Sequence, residues 1–445
     1  MIMLAVVFFT LAATAAPINT VLPCGAVGTV GGLGAGTDLT RYTIDTSKYA
    51  NALCNDGTPA VFYYAPATRE EDRNKWFIFL QGGGGCIDGQ SCAERWCHVN
   101  TNYGMDKMTS SLTKAMIRGN GFLEPRPENR FGTWNRVLIF YCSSDNWSGT
   151  KTTQLQAASG STTVDYAIHF RGSQIIDAAL DTLRNAAQSS RRRAVSHSAE
   201  EANAASSPWP DLDLATHVLF AGSSAGGQGA KSNADRVGAK LRSTNPNLAD
   251  YRVLIDASYS PDAEGRDYAH STYCSNDPRG CSYEGLFEAY YAGSNETYGT
   301  RRDESCIAWH AAHQPGTEWR CEDIGHVNLH HITSPFFIHQ DLQDPQVGGE
   351  YVDANFGTPS DYAMGVEAEF RALPTPEEPR GATPGLYAPQ CTDHESVTDN
   401  AAVFDVKVDG RSYYDVVWNW WSGAQPQQAI RHYTGTPGKA PGCPP

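Results

Sequence analysis

An α/β fold, with a mostly parallel sheet flanked by helices and tied by disulfides, is what this 445-residue sequence predicts. Three observations predict it. Short continuous apolar runs recur along the chain, the pattern of strands buried on both faces. Segments of helical periodicity lie between them. Twelve cysteines, an even number widely spread, suit a disulfide framework made in an oxidising compartment.

Taken in chain order, Met1 to Ala16 reads as a secretory signal. Ile2 to Ala13 is apolar, and Ala13-Thr14-Ala15 fits the small-residue cleavage pattern. No later apolar run is long enough to span a bilayer, so no stable membrane insertion is expected. Residues 17–445 read as a single domain. Its first strand is Trp76 to Leu80, followed by the loop Gln81-Gly82-Gly83-Gly84-Gly85-Cys86. Val137 to Tyr141 is the second apolar run. Ser173 to Ala187 is helical, with Ile175, Ile176, Ala179, Leu180 and Leu183 at helical spacing. The stretch 188–213 breaks the rhythm. It holds Arg191-Arg192-Arg193, many Ser and Ala residues and Pro208-Trp209-Pro210, and is expected to be an exposed, mobile insertion. Next come the apolar run Thr216 to Ala221, the turn Gly222-Ser223-Ser224-Ala225-Gly226-Gly227, and a helical segment from Gln228 to about Leu241. Tyr251 to Ile255 and Phe336 to Ile338 complete the strands. Ala363 to Leu373 and Tyr413 to Trp421 are further helices. The Gly/Pro-rich tail from Gly435 is expected to be pinned by Cys443. Cys86/Cys92 and Cys274/Cys281 are spaced for small local loops, whereas no C-x₂-C unit offers a zinc site.

The net charge of −15 argues against a nucleic-acid-binding surface, which needs clustered Lys and Arg. It also favours a neutral or esterified substrate over a polyanion.

The chemistry concentrates at Gly222 to Gly227. A G-x-S-x-G turn between a strand and a helix lifts its serine hydroxyl above the sheet edge, so Ser224 is the candidate nucleophile. A serine hydroxyl needs a base to take its proton, a carboxylate to orient that base, and fixed donors for the oxyanion. The Gly82–Gly85 loop can bring backbone N–H groups up to a substrate oxygen without side-chain obstruction. For the acid, Asp256 ends one strand, and Asp341 and Asp344 follow another. For the base, His326, His330, His331, His339, His394 and His432 all lie downstream of Ser224. In an α/β-hydrolase the triad follows the chain order Ser, acid, His, which position alone does not narrow further.

Several separated blocks resemble the pectin acetylesterase/Notum family of secreted carboxylesterases over about residues 60–422. They are Phe79 to Cys86, Tyr141-Cys142-Ser143-Ser144-Asp145-Asn146-Trp147-Ser148-Gly149, Gly222 to Gly227, Pro335 to Asp344, and Cys391-Thr392-Asp393-His394. The resemblance implies Ser224 as nucleophile, His394 as base and then acid, and Asp344 as its orienter. The backbone N–H groups of Gly83, Gly84 and Ala225 become the oxyanion donors, and Asp256 a structural residue and runner-up acid. No metal or organic cofactor is implied. The implied substrates are O-acyl esters, foremost O-acetyl groups on carbohydrate such as pectin. Lipid-ester or protein O-deacylation is the alternative, and a binding protein without catalysis a remoter one. The chain departs from the family at Gly84 or Gly85, where a bulky aromatic is usual, which is expected to widen the mouth of the site.

Overall fold

The computed structural model describes residues 15–22, 24, 35–98, 103–159, 161–184, 208–261, 263–372, 384–435 and 443. The signal segment therefore lies outside the described residues, apart from its last two.

Ten strands form one sheet. In chain order they are β1 (Ala35–Thr43), β2 (Val61–Ala65), β3 (Lys75–Leu80), β4 (Met116–Ile117) and β5 (Asn135–Ile139), then β6 (His217–Ser223), β7 (Asp250–Asp256), β8 (Phe336–His339), β9 (Gly385–Ala388) and β10 (Gln428–Ile430). Their spatial order is β10-β9-β8-β7-β6-β3-β5-β2-β1-β4. Every pairing from β10 to β5 is parallel, and β2, β1 and β4 continue antiparallel at one edge. The apolar runs of the sequence are the middle of this sheet. β3 and β5 are buried almost throughout, as parallel strands covered on both faces must be. β6 lies between β3 and β7, with Leu80 opposite Gly222 and Ser223 opposite Asp256. This register brings the Gly82 loop, the Ser224 turn and Asp256 to one end of the sheet. Functional groups gather at the carboxyl ends of strands in such sheets.

Helices pack against the sheet. The helix Gly172–Arg184 buries Ile175, Ile176, Ala179, Leu180 and Leu183, the residues whose spacing announced it. The helix Ala225–Thr244 packs on β6 and β7. The helix Tyr413–Ser422 starts at a reciprocal Ser412/Asp415 capping box and stops at Gly423 in the left-handed conformation. The helix expected from Ala363 begins earlier, at Pro359. A separate antiparallel hairpin, Lys151–Ser159 with Thr162–Phe170, stands outside the main sheet.

All twelve cysteines pair, as Cys24–Cys97, Cys54–Cys142, Cys86–Cys92, Cys274–Cys281, Cys306–Cys321 and Cys391–Cys443. Both expected local loops are among them, and Cys443 does pin the tail. One expectation needs correction. Residues 185–207 lie outside the described ones, but 208–213 are not a free loop. Trp209 packs edge-on against Tyr42, Phe62 and Tyr64, with ring centroids 4.9, 5.4 and 5.7 Å away, and Leu212 is fully buried. The two prolines beside Trp209 disguised an aromatic anchor as a linker.

Candidate active site

The nucleophile turn is set by close backbone contacts. A Cβ at Gly222 would fall 2.0 Å from the Gly226 carbonyl oxygen, and one at Gly226 would fall 2.0 Å from that of Leu80. Only glycine permits strand and helix to meet this closely. Between them Ser224 is held at φ 55° and ψ −123°, a strained conformation for a residue with a side chain. Its N–H donates to the Asp256 carbonyl at 2.9 Å, which ties the turn to the end of β7.

Ser224, Ala225, Gly84 and Gly85 line one cavity of about 330 Å³. Ala225 is the first residue of the helix, so its N–H points away from the helical ladder. Among the described residues, the N–H groups of Gly83, Gly84 and Ala225 have no hydrogen-bond partner. The glycine loop is braced from behind. Buried Arg95 donates from Nη2 to the Gly83 carbonyl at 2.5 Å and from Nε to Ser144 Oγ at 2.9 Å. Trp147 Nε1 donates to the Gln81 carbonyl at 3.0 Å. Asp145 holds the Trp147 block together by accepting from Ser143 Oγ and from the N–H groups of Trp147, Gly149 and Gly172. Burial nonetheless pushes its carboxyl up to about 6. The block Cys142 to Gly149 is thus the support of the loop.

Six histidines were candidates for the base, and the structure separates them. His432 is exposed beside Glu367. His326, His330 and His331 cluster around the helix Ile324–His330. His339 is buried with its Nδ1 2.5 Å from Asp256 Oδ1. His394 places Nδ1 2.8 Å from Asp344 Oδ2. Its other ring nitrogen, Nε2, is buried and takes no hydrogen bond from Ser224 or any other described residue. Asp344 is itself fixed, since Gln340 Nε2 donates to Oδ2, and the N–H groups of Gln346 and Val347 donate to Oδ1. Burial opposes charging of His394. The hydrogen bond and charge of Asp344, helped by Glu395 and Asp256, outweigh it and push the imidazole up to about 9.

Asp256 touches a different set: Ser223 Oγ, His339 and the Val397 N–H. It joins the nucleophile turn to β8 and to the segment after His394. Among the candidate acids, Asp344 is the one that touches His394. Asp341 faces His339 Nε2 at 3.5 Å.

The loop of His394 and the glycine loop meet. A Cβ at Gly82 would fall 1.8 Å from Glu395 Oε1, so the Glu395 carboxyl lies directly against that backbone. Glu395 has a left-handed backbone, and burial raises its carboxyl, with Lys107 and His394 opposing. Sequence reasoning passed over both Glu395 and Arg95, which carry no motif of their own. At Gly84, where the family usually has an aromatic, a different aromatic stands nearby. The ring of Tyr103 stands 3.5 Å from where a Gly84 side chain would begin.

A seven-strand parallel run with a strained serine between strand and helix, and an Asp–His pair on the loops after β8 and β9, defines an α/β-hydrolase fold. A family model described as pectinacetylesterase matches residues 35–195. The chain is 30% identical over 368 residues to palmitoleoyl-protein carboxylesterase notum2 of Xenopus laevis, covering 81% of this chain and 63% of that protein. It is 37% identical over 105 residues to inactive palmitoleoyl-protein carboxylesterase notum1b of Danio rerio, covering 23% of this chain and 70% of that one. The solved structure of the Wnt deacylase Notum from Drosophila superposes with a TM-score of 0.64 at 22% identity, over 92% of this chain and 100% of that one. The chain belongs to the pectin acetylesterase/Notum family. It spans less than two thirds of the length of the curated relatives it matches along most of its own length, 63% in the Xenopus case.

Proposed function

We propose that this protein is a secreted serine carboxylesterase that removes small acyl groups, foremost O-acetyl, from carbohydrate. The observation that carries the substrate class is the polarity of the cavity at Ser224. Asp145, Asn146, Ser148, Gln228, Lys231 and Glu322 are among the residues that line it, and few apolar side chains interrupt them. Such walls suit hydroxyl-rich alcohols and a short acyl group better than a long lipid chain. Family membership does not by itself confer catalysis, since the Danio rerio relative is named inactive. The reading therefore rests on the site.

In this reading Ser224 Oγ attacks the ester carbonyl while His394 Nε2 takes its proton. Asp344 steadies the imidazolium through Nδ1. The oxyanion sits against the N–H groups of Gly83, Gly84 and Ala225. Collapse breaks the bond to the alcohol, which leaves with the proton from His394. Water then gives a proton to His394 as it attacks the acyl-enzyme, and on collapse the Ser224–acyl bond breaks, His394 returns that proton to Ser224 Oγ, and the acid leaves. The six disulfides suit an exported protein, and among the described residues no helix is long and apolar enough to cross a membrane.

A second reading has one observation in its favour. An apolar cavity of about 600 Å³, bounded by Ile87, Tyr273, Leu286, Ala289 and Tyr290, shares Asn146, Ser294, Tyr298 and Glu322 with the Ser224 cavity. It offers room for an acyl chain such as the palmitoleoyl group that the relatives' names carry. A series of p-nitrophenyl esters from acetyl to palmitoyl, run beside acetylated pectin and xylan, separates the two. Highest kcat/KM on acetyl esters, with acetate released from polymer, supports the first reading. A maximum at long chains with no release from polymer selects the second.

A further inference from the structure

We propose that His310, His326 and His331 form a binding site for a divalent transition-metal ion of the zinc class. Nε2 of His326 lies 2.9 Å from Nε2 of His310 and 2.9 Å from Nε2 of His331. The ligand atoms of all three lie within 4.8 Å of one another. His310 and His331 are fully buried, and His326 is nearly so.

Protons alone satisfy this arrangement poorly. A neutral imidazole nitrogen offers either one N–H or one in-plane lone pair. The tautomer of His310 follows from its neighbour. Thr317 donates its hydroxyl proton to the Gln314 carbonyl at 2.6 Å, so its Oγ1 accepts from His310 Nδ1 at 2.7 Å. Neutral His310 therefore turns a lone pair from Nε2 toward His326. His326 Nε2 then has one position to serve two facing nitrogens. A cation among them gives each nitrogen a full bond, and Thr317 is the kind of outer partner that orients a metal-binding histidine.

Size suits the same ion. Tetrahedral zinc takes nitrogen at about 2.0–2.1 Å, which sets ligand atoms roughly 3.3–3.4 Å apart. The two 2.9 Å separations would open by a few tenths of an ångström, and the third pair lies within 4.8 Å. Cys306 Sγ lies in the same group, but it is bonded to Cys321 and offers no thiolate. Three histidines then leave a fourth position for water or an anion, and His326 borders a cavity of about 390 Å³ with Asp323 and Tyr283. The histidines come from the helix Glu304–His313 and from the helix Ile324–His330 with the residue after it, next to the Cys306–Cys321 bridge. The ion would clamp these segments together, apart from Ser224 and His394.

The test uses the untagged full chain, stripped with a chelator, desalted, and titrated separately with zinc chloride and cobalt chloride. We expect one zinc per chain by elemental analysis, a visible cobalt absorption of four-coordinate intensity, and a Tm raised by several degrees. His310→Gln and His326→Gln should each abolish stoichiometric uptake and the Tm response. Because a buried substitution can unfold the chain, the wild-type titration decides alone: no uptake and no Tm response in excess metal overturns the proposal. Full zinc uptake by both folded variants overturns it as well.

Discussion

His394 is where the chemistry of the site becomes measurable. A general base works only when neutral, and Asp344 with its neighbours pushes this imidazole up to about 9. The ester kcat/KM should therefore climb through neutral pH and reach half its plateau near pH 9. A half-maximal pH near 6.5 would contradict this assignment. Stability moves the other way. A folded-state pKa above the unfolded value of 6.5 makes the His394–Asp344 pair fully stabilising below pH 6.5, and that contribution is lost as pH rises through about 9. Asp344→Asn should lower kcat about 10³–10⁴-fold with the fold intact, as loss of the orienting acid does elsewhere. Asp256→Asn should act mainly on Tm, because its contacts are Ser223, His339 and the Val397 N–H. Asp256→Asn abolishing turnover at unchanged Tm would reverse these roles. The strained turn at Ser224 was legible from its G-x-S-x-G motif between strand and helix. Asp344 and His394 were not, because they lie 50 residues apart and nothing in their own neighbourhoods announces the contact. Only the family's Cys-x-x-His block and the strand before Asp344 selected them.

At the level of elements, the glycine loop depends on what lies behind it. Arg95 joins the Gly83 carbonyl to Ser144 through two different nitrogens, a geometry that a lysine cannot reproduce. Arg95→Lys should leave KM near wild type and lower kcat by about 10–100-fold, less than the loss of an oxyanion donor itself. Equal falls in kcat and in folded fraction would mark Arg95 as merely structural. Trp209→Ala should cost about 2–3 kcal/mol, below the range for a fully buried Trp because this ring is only partly covered. Urea denaturation measures it, and a change below about 0.5 kcal/mol would mean that 208–213 behaves as the loose loop its composition suggested. Long apolar runs and strong helical periodicity gave their elements away, as in β3, β6 and the helix Gly172–Arg184. Gly385–Ala388 and Gln428–Ile430 did not, since neither carries an unbroken run of large apolar residues such as Phe336-Phe337-Ile338. The helix Glu304–His313 escaped because it has no continuous apolar face, and Ile324–His330 because it is only seven residues long, and with them the meeting of three histidines spaced as no metal motif is spaced.

For the whole molecule, register along the sheet brings separate segments to one of its ends. The glycine loop follows β3, Ser224 follows β6, Asp344 follows β8, and His394 follows β9, all at the carboxyl ends of strands. The Cys391–Cys443 bridge closes a 52-residue separation just before His394. Replacing both cysteines by serine should cost about 2–4 kcal/mol and lower activity more than the folded fraction predicts, because the base loop loses its tether. Near-parallel losses of activity and Tm would limit the bridge to a general staple. The class of fold was legible because alternating strands and helices admit few arrangements, whereas the antiparallel edge and the four disulfides beyond the two local loops depend on contacts that no local pattern records. The central claim is that Ser224 is a nucleophile activated by His394. Labelling the folded chain with a fluorophosphonate and mapping the adduct by mass spectrometry tests it most directly. The account predicts a single adduct on Ser224, lost in a folded His394→Ala variant. An unlabelled wild-type protein, or an adduct on any other residue, would contradict it.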